Sequence, residues 1–379
     1  MKFSECVEIV GSKPSRYQGI KQYVSTGALD SDHIDENSIE EYAYDDRPSR
    51  ADLVAEAGNV LFAKMAETKK TLVINNQNEK YLFSTGFFAV KPKKNVLTTE
   101  CLYYLLNSNT FLSQKDKYSS GATQKAISNA SLEKIIVNIP CFSKQEDIVK
   151  QLDKLSNIIK KTRKQLLNFD LLIKSRFIEM FGDNPIENGK WKVEKLGNLG
   201  LCKNGMNFSY EDNGFEINCL GVGDFKDNAV ISNCEKLPVI SLNEKPSEEY
   251  LLKDNDIVFV RSNGNKELVG RSVLVHPRVL TTFSGFCIRF RLSTDSINHL
   301  FLLQFLKMPN TRKNMAGRGA NIQNLNQQIL SNLDIPVPPI ELQNDFAAFV
   351  QQIDKSKFEI WRYLKFCDIM KRIGFILYD

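Results

Sequence analysis

Gly121-Ala122-Thr123-Gln124-Lys125-Ala126-Ile127 in the first half of the chain and Gly319-Ala320-Asn321-Ile322-Gln323-Asn324-Leu325 in the second are one motif written twice. Gly319 lies 198 positions after Gly121, and the same spacing carries Leu132 onto Leu330, Ile139-Pro140 onto Val337-Pro338, Gln145 onto Gln343 and Asp147 onto Asp345 without a gap. Upstream the likeness continues with small slips. Gly58-Asn59-Val60-Leu61-Phe62-Ala63-Lys64 matches Asn255-Asp256-Ile257-Val258-Phe259-Val260-Arg261, and Ser84-Thr85-Gly86-Phe87 resembles Phe283-Ser284-Gly285-Phe286. Leu102-Tyr103-Tyr104-Leu105-Leu106 resembles Leu302-Leu303-Gln304-Phe305-Leu306. Ordered blocks at nearly one offset mark a duplicated half-chain.

Each half has the same plan. Short β-branched and aromatic runs (Val60–Phe62, Ile257–Val260, Cys287–Phe290) alternate with Gly, Asn and Pro breaks, as in small sheets. A short apolar helix follows, then the Ile-Pro or Val-Pro punctuation, then a long periodic segment. In the first half that segment opens at Ser143, an N-cap with Glu146 three residues on. Its apolar positions step by fours and threes through Ile148, Leu152, Leu155, Ile159, Thr162, Leu166, Phe169, Ile173, Phe177 and Met180, the pattern of a coiled-coil seam. Gly182 and Pro185 end it. The second half repeats the seam through Phe346, Val350, Ile353, Lys357, Ile360, Leu364, Cys367 and Lys371, less ideally, with two lysines on it and Gly374 near the end.

The fold class is therefore mixed α+β with a pseudo-twofold internal repeat. Two globular α/β domains (residues 1–142 and 184–340) are expected, with two long helices (143–183 and 341–379) pairing as an antiparallel coiled coil between them. From Ser143 to Met180 the first helix is roughly 57 Å long at ~1.5 Å per residue. The competing arrangement packs each helix only on its own domain.

With 379 residues the chain holds two or three domains of roughly 100–200 residues. A net charge of +5 is compatible with a polyanionic partner but does not demand one, since local basic clusters matter more than the average. Met1-Lys2-Phe3-Ser4-Glu5-Cys6 has no apolar leader core, and no run approaches the roughly 20 apolar residues of a membrane span. The eight cysteines form no CxxC pair, and His33, His276 and His299 stand near no such pair. Reduced thiols in a cytoplasmic, metal-free protein are the expectation.

Motifs for catalysis are missing. Asn184-Pro185 runs into Ile186-Glu187, without the Pro-aromatic continuation of a DNA amino-methyltransferase turn. Gly221-Val222-Gly223 lacks a third glycine, no P-loop occurs, and no Ser or Cys pairs with a histidine. Glu40-Glu41 and Asp45-Asp46 read as solvated acidic loop. A binding protein without a cofactor of its own is expected, not an enzyme.

Base edges are read by Arg, Lys, Asn and Gln, and phosphates are held by Lys, Arg and small polar groups. Candidates of that kind are Lys13, Arg16, Tyr17, Lys21 and Tyr23 near the start, and Lys64, Lys69 and Lys70 after the first matched strand. Thr123, Gln124 and Lys125 follow in the repeated block. Arg261, Asn263, Asn265 and Lys266 occupy the equivalent place in the second half, with Arg312, Arg318 and Asn321 later. The run Lys160-Lys161-Thr162-Arg163-Lys164 reads as a solvated helix face, with phosphate contact as the alternative.

Taken together, the Gly121–Gln124 block, the run to Ile139-Pro140, the helix beyond it, and the re-entry Phe177-Ile178-Glu179-Met180-Phe181-Gly182-Asp183-Asn184-Pro185 … Trp191-Lys192-Val193-Glu194-Lys195-Leu196-Gly197 resemble the DNA specificity subunits of type I restriction-modification enzymes. The resemblance implies that each globular domain reads one half of a split double-stranded DNA target. It implies that the helices are spacer and docking surface for two methylation subunits, through which restriction subunits, where present, join. S-adenosylmethionine and ATP then belong to those other chains. Under it the loops after Lys64 and Arg261 become the leading base readers. The tail Lys371–Asp379 departs from the pattern, being a poorer helix former than Lys174–Met180. A tandem-domain scaffold or RNA-binding protein is the rival reading, although no aromatic stacking motif supports RNA.

Overall fold

A computed structural model describes the chain except residues 210–211, 226–228, 317–323 and 374–379, with the side chains of Lys266, Ala316 and residues 368–373 also left aside. Packing divides the chain into two compact units. Met1–Lys164 with the end of the chain from Ile360 forms one, and Gln165–Glu359 the other, so each long helix contributes to both.

The first unit holds an antiparallel sheet ordered Val7–Val10, Phe87–Pro92, Val60–Ala63, Thr71–Val73. Beside it, Ile20–Val24 pairs antiparallel with Glu40–Ala43 and parallel with Leu82–Phe83. The second unit repeats this topology. Gly200–Asn204, Cys287–Leu292, Asp256–Val260 and Ser272–Val275 follow in the same order, with Val230–Ile231 added at the far edge. Phe215–Leu220 pairs antiparallel with Val239–Leu242 and parallel with Thr281–Phe283. Every residue of Val60–Ala63 and Asp256–Val260 is buried, as expected of strands covered on both faces. At the polar end of the latter, Asp256 is fully buried and receives Arg291 Nε and Nη2 at 2.7 and 2.6 Å.

The start of each half is stitched to the segment that leads into its long helix. The Phe3 amide donates to the Ile135 carbonyl and the Leu196 amide to that of Leu333, both at 2.9 Å. A short helix follows each sheet, Thr99–Leu106 or His299–Leu306, capped by Thr98 or Asn298 accepting a first-turn amide.

One side chain fixes how the long helix leaves each domain. Gln145 is fully buried; its Oε1 accepts the Thr98 amide at 2.9 Å, and its Nε2 donates to the carbonyls of Val96 and Pro140 at 2.8 and 3.1 Å. Gln343, also fully buried, repeats all three bonds with Asn298, Ser296 and Pro338 at 2.8, 3.2 and 2.7 Å. Each glutamine thereby ties the first turn of a long helix to the N-cap of a short one and to the preceding Ile-Pro or Val-Pro turn.

The long helices run Phe142–Phe181 and Ile340–Ile373. The first begins one residue ahead of Ser143, which therefore lies inside the first turn rather than capping it. Ile148 and Leu152, read as seam positions, sit in the core formed with Leu102 and Leu105, so the opening turns are docked on their own domain. Further along in the first unit, Ile159, Thr162, Leu364 and Cys367 are buried, with Leu155 and Ile360 half-buried.

In the second unit the two helices pair antiparallel. Phe181 and Phe177 meet Phe346 at ring-centroid distances of 5.7 and 5.4 Å. Arg176 lies 5.9 Å over Phe349, and Lys357 reaches Asp170 at 2.6 Å. Residue numbers fall along one helix as they rise along the other. Ile173 and Val350 are buried in the same cluster, Ile353 packs half-buried against it, and Leu166 and Phe169 are half-buried. The seam lysine Lys357 is not an orphan in an apolar stripe, because Asp170 and Asp354 (3.7 Å) neutralise it. Phe177 and Phe181 also pack on Phe301, so the helix end doubles as core of the second domain.

Replacing Gln145 by Leu strands one amide and two carbonyls in a dry site, and each buried orphan costs roughly 1–3 kcal/mol. Gln145→Leu is expected to lower unfolding stability by about 2–4 kcal/mol in urea denaturation, part of the cost being relieved by relaxation. A variant that melts like the parent would remove the glutamine from the account of helix docking.

Candidate nucleic-acid interface

At the end of strand Val60–Ala63 the chain enters a loop over residues 64–70. Lys64 is half-buried; its Nζ donates to the Thr85 carbonyl at 2.8 Å and lies 4.5 Å over the Phe88 ring. Burial holds its ammonium below the usual lysine range. Lys70 donates to the Thr26 carbonyl at 2.7 Å, and Lys69 is exposed. The Gly121–Lys125 block, remote in sequence, is laid against this loop. Met65 bridges Ala126, the Ala66 amide donates to the Lys125 carbonyl at 2.9 Å, and the Ile127 amide to that of Lys64 at 3.0 Å. Thr123, Gln124 and Lys125 are exposed on this edge. Gly121 makes the turn possible: its φ is +139°, and a Cβ there would stand 2.4 Å from the Gln124 carbonyl oxygen.

The residue that holds the loop from within escaped the sequence reading. Lys115, 1% exposed, donates to the carbonyls of Met65, Thr68 and Ala63 at 2.8, 2.6 and 3.4 Å. Burial lowers its pKa, yet the three carbonyls give the ammonium the donors' partners it needs. A buried lysine on a helix gives no periodic signal that separates it from a surface one.

The second unit repeats the device with other residues. Arg261 Nη1 donates to the Gly285 carbonyl at 3.2 Å, where Lys64 has Thr85. Its amide meets the Phe286 carbonyl, and its own carbonyl accepts the Leu325 amide at 2.8 Å, as Lys64 accepts Ile127. Asn263 and Asn265 turn their Oδ1 atoms onto the amides of Asn265 and Glu267, at 2.8 and 3.0 Å. Arg312 plays the part of Lys115, with Nη2 on the carbonyls of Glu267 and Val269 at 2.7 and 3.3 Å; burial first, then Arg271, lowers its pKa. Arg312 is thus a clamp beneath the loop. Phe286, 61% exposed beside Arg261, is an aromatic the sequence reading passed over. Arg318 and Asn321 lie outside the described residues, and of Lys266 only the backbone is described.

A second cluster of the first unit gathers cations and rings. Arg16 reaches Asp45 at 2.8 Å and lies 5.9 Å over Tyr44; Arg47 lies 4.0 Å over the same ring and holds Asp52 at 3.0 Å. Lys13 stands 3.5 Å from Asp52, and Lys21 sits 5.1 Å over Tyr17, whose ring is 5.4 Å from Tyr44. Tyr44 and Arg47 are additions to the sequence candidates. Tyr23 is a correction: at 5% exposure it packs with Ala51 and Leu82, because it falls on the core face of strand Ile20–Val24. Thr85 joins the two clusters, accepting Lys64 on its carbonyl and donating its amide to Arg50 at 2.9 Å. Among the described residues no group of three His, Cys, Asp or Glu is placed to hold a metal, and no helix is long and apolar enough to cross a membrane.

The family model described as the type I restriction modification DNA specificity domain matches the chain twice, over residues 15–168 and 188–365. The specificity subunit of the type I restriction enzyme StySPI of Salmonella potsdam is 26% identical over 313 residues, 76% of this chain and 66% of that protein. A putative MjaX specificity subunit of Methanocaldococcus jannaschii is 24% identical over 317 residues, 78% of this chain and 72% of its own length. The match to the first of these thus spans about two thirds of its length. A chain solved in work on assembly and conformational transition of the type I R-M system superposes with a TM-score of 0.62 at 18% identity, covering 100% of this chain and 96% of that one. The S subunit of a type I system from M. genitalium gives 0.50 at 13%, covering 99% and 94%. At these identities the structural likeness is one of fold.

Lys115→Met removes three carbonyl partners and is expected to loosen residues 64–70 selectively. Amide hydrogen exchange across that loop should accelerate about ten-fold or more, each lost bond to a charged donor being worth roughly 1.5–3 kcal/mol, while strand Phe87–Pro92 stays protected. Unchanged exchange would mean that the lysine does not hold the loop.

Proposed function

The chain belongs to the type I restriction modification DNA specificity family, and from that premise we propose that it is the sequence-reading subunit of such a complex, each unit reading one half of a bipartite duplex target. The observation that carries the reading is the pairing of one scaffold with two unlike edges. Lys64 and Arg261 leave equivalent strands, are anchored on equivalent carbonyls, and launch loops of different length and chemistry. Two different half-sequences call for that combination.

The roles divide by geometry. Exposed Thr123, Gln124, Lys125 and Lys69 in one unit, with half-buried Asn263 and exposed Asn265 in the other, suit base edges, whereas Phe286 suits a thymine methyl. Lys13 and Arg16 suit phosphates: their ion pairs with Asp52 and Asp45 are exposed, worth at most about 1 kcal/mol, and give way readily to a polyanion. Lys64, Lys70, Lys115 and Arg312 position the loops. The chain carries no catalytic step. Methyl transfer with S-adenosylmethionine, and ATP-driven cleavage where a restriction subunit is present, fall to partner chains in the cytoplasm. Two methylation subunits dock on the helices, a reading supported by Leu167, Leu171 and Leu172 at 66, 61 and 45% exposure in the second unit and by Trp361, Tyr363 and Phe366 in the first. The rival RNA-binding and scaffold readings find no support in the family match.

Exchange of residues 1–140 for the corresponding domain of a relative is the direct test. Methylated-motif mapping should find one half of the target changed and the other intact; a change in both halves contradicts independent reading. Purified alone with S-adenosylmethionine and duplex DNA, the chain should transfer no methyl group, and transfer by the isolated chain would overturn the non-catalytic assignment.

A further inference from the structure

The second unit contains a cavity of about 640 Å³ that the DNA-reading loops do not account for. It lies under the domain, between helix His299–Leu306, the stretch 167–174 of the first long helix, the stretch 350–357 of the second, and the start of strand Ser272–Val275. Five basic side chains line it against two acidic ones. The two acids, Asp170 and Asp354, are engaged by Lys357 at 2.6 and 3.7 Å. That leaves Lys174, Arg271, Lys307 and Arg312 without a carboxylate bonded to them among the described residues, Arg312 being held by one nitrogen, Nη2, on the loop carbonyls of Glu267 and Val269. Arg271, Lys307 and Arg312 line one volume, and Arg271 repels both of the others, whereas Asp170 and Asp354 attract Lys307 across the same space. Lys307 is pushed down to about 8, chiefly by burial and then by Lys357. On the cavity wall Ser272 is 3% exposed, and its hydroxyl has no hydrogen-bond partner.

The equivalent place in the first unit is built differently. A cavity of about 890 Å³ lies against Tyr103 and Tyr104, and Asp32 and Asp153 on its wall are engaged from within it. Lys160 reaches Asp32 at 3.1 Å, Tyr103 donates to the same carboxylate at 3.2 Å, and Tyr104 donates to Asp153 at 2.5 Å. Duplication supplied the same cavity twice, and among the described residues the orphaned buried hydroxyl stands beside the cations of the second.

We propose that the cavity of the second unit is a binding site for a phosphate group, held by Arg271, Lys307, Arg312 and the Ser272 hydroxyl. Bridging the three cations relieves their mutual repulsion, and the hydroxyl gains the acceptor it lacks. The volume falls in the range of small-molecule sites, roughly 300–1,000 Å³, and Leu300, Leu303 and Val350 give the carrier of the phosphate an apolar wall. That phosphate comes either from a small phosphorylated molecule or from a DNA backbone, two sources with one chemistry.

Inorganic pyrophosphate and duplex DNA are the two probes, used on the full chain at fixed ionic strength. The readout is acetylation of the Lys307 amine at pH 8, followed by peptide mass spectrometry. Pyrophosphate is expected to protect Lys307 saturably. Arg271→Gln should weaken that protection about ten-fold and Ser272→Ala a few-fold, in keeping with charge-assisted and neutral hydrogen bonds. Lys94→Gln, at an exposed position of the first unit, should leave it unchanged. Protection by duplex DNA alone, lost in the same two variants, assigns the phosphate to the DNA backbone and upholds the site. Ser272→Ala, which removes only an unpaired hydroxyl, keeps the test valid should Arg271→Gln fold poorly. Lack of protection by either probe, or undiminished protection in a variant that melts like the parent, overturns the proposal.

Discussion

A single buried amide group, used twice, sets the frame on which the rest of the molecule depends. Gln145 and Gln343 satisfy all of their polar partners inside the protein, and the partners are the same three backbone groups in each half. An amide is suited to this task because it accepts and donates at once, joining an orphan amide at a helix N-cap to carbonyls that no ladder or helix can satisfy. The cost of breaking the set in a dry site makes the exit of each long helix a fixed feature rather than a hinge.

On that frame the reading edges are held by cations that point inward. Lys115 and Arg312 insert from the helices Asn109–Tyr118 and Pro309–Ala316 and gather the carbonyls of the loops above them. Because backbone carbonyls are the partners of Lys115 and Arg312, the identity of the loop side chains can change without loss of the clamp. Under the proposed function, this is the physical route by which one scaffold would carry two specificities.

Much of the fold was legible. Repetition exposed the duplication, β-branched and aromatic runs and heptad patterns located the central strands and long helices, and the long-helix starts fell within about two residues. The site was legible only in part. Contiguity hid the meeting of residues 64–70 with the Gly121 block, and nothing in the sequence distinguished Lys115 from a surface lysine. Tyr23 was misread because an aromatic near basic residues looks the same whether it faces solvent or core. A heptad pattern, likewise, states that a face is covered without saying by what: Ile148 and Leu152 lie on a domain, whereas Phe346 meets the other helix. Arg271 and Ser272, at the start of one strand, and Lys307, just past a helix, carried no sequence signal at all.

The claim that one duplicated frame presents two unlike reading edges is tested most directly by mapping methylated bases in DNA from cells that contain this chain with its methylation partner, and from cells lacking only this chain. The account predicts a methylation pattern that depends on the chain and falls on a bipartite motif, two different half-sequences separated by a non-specific spacer of constant length. Methylation that is indifferent to the chain, or that follows one uninterrupted motif, would contradict it.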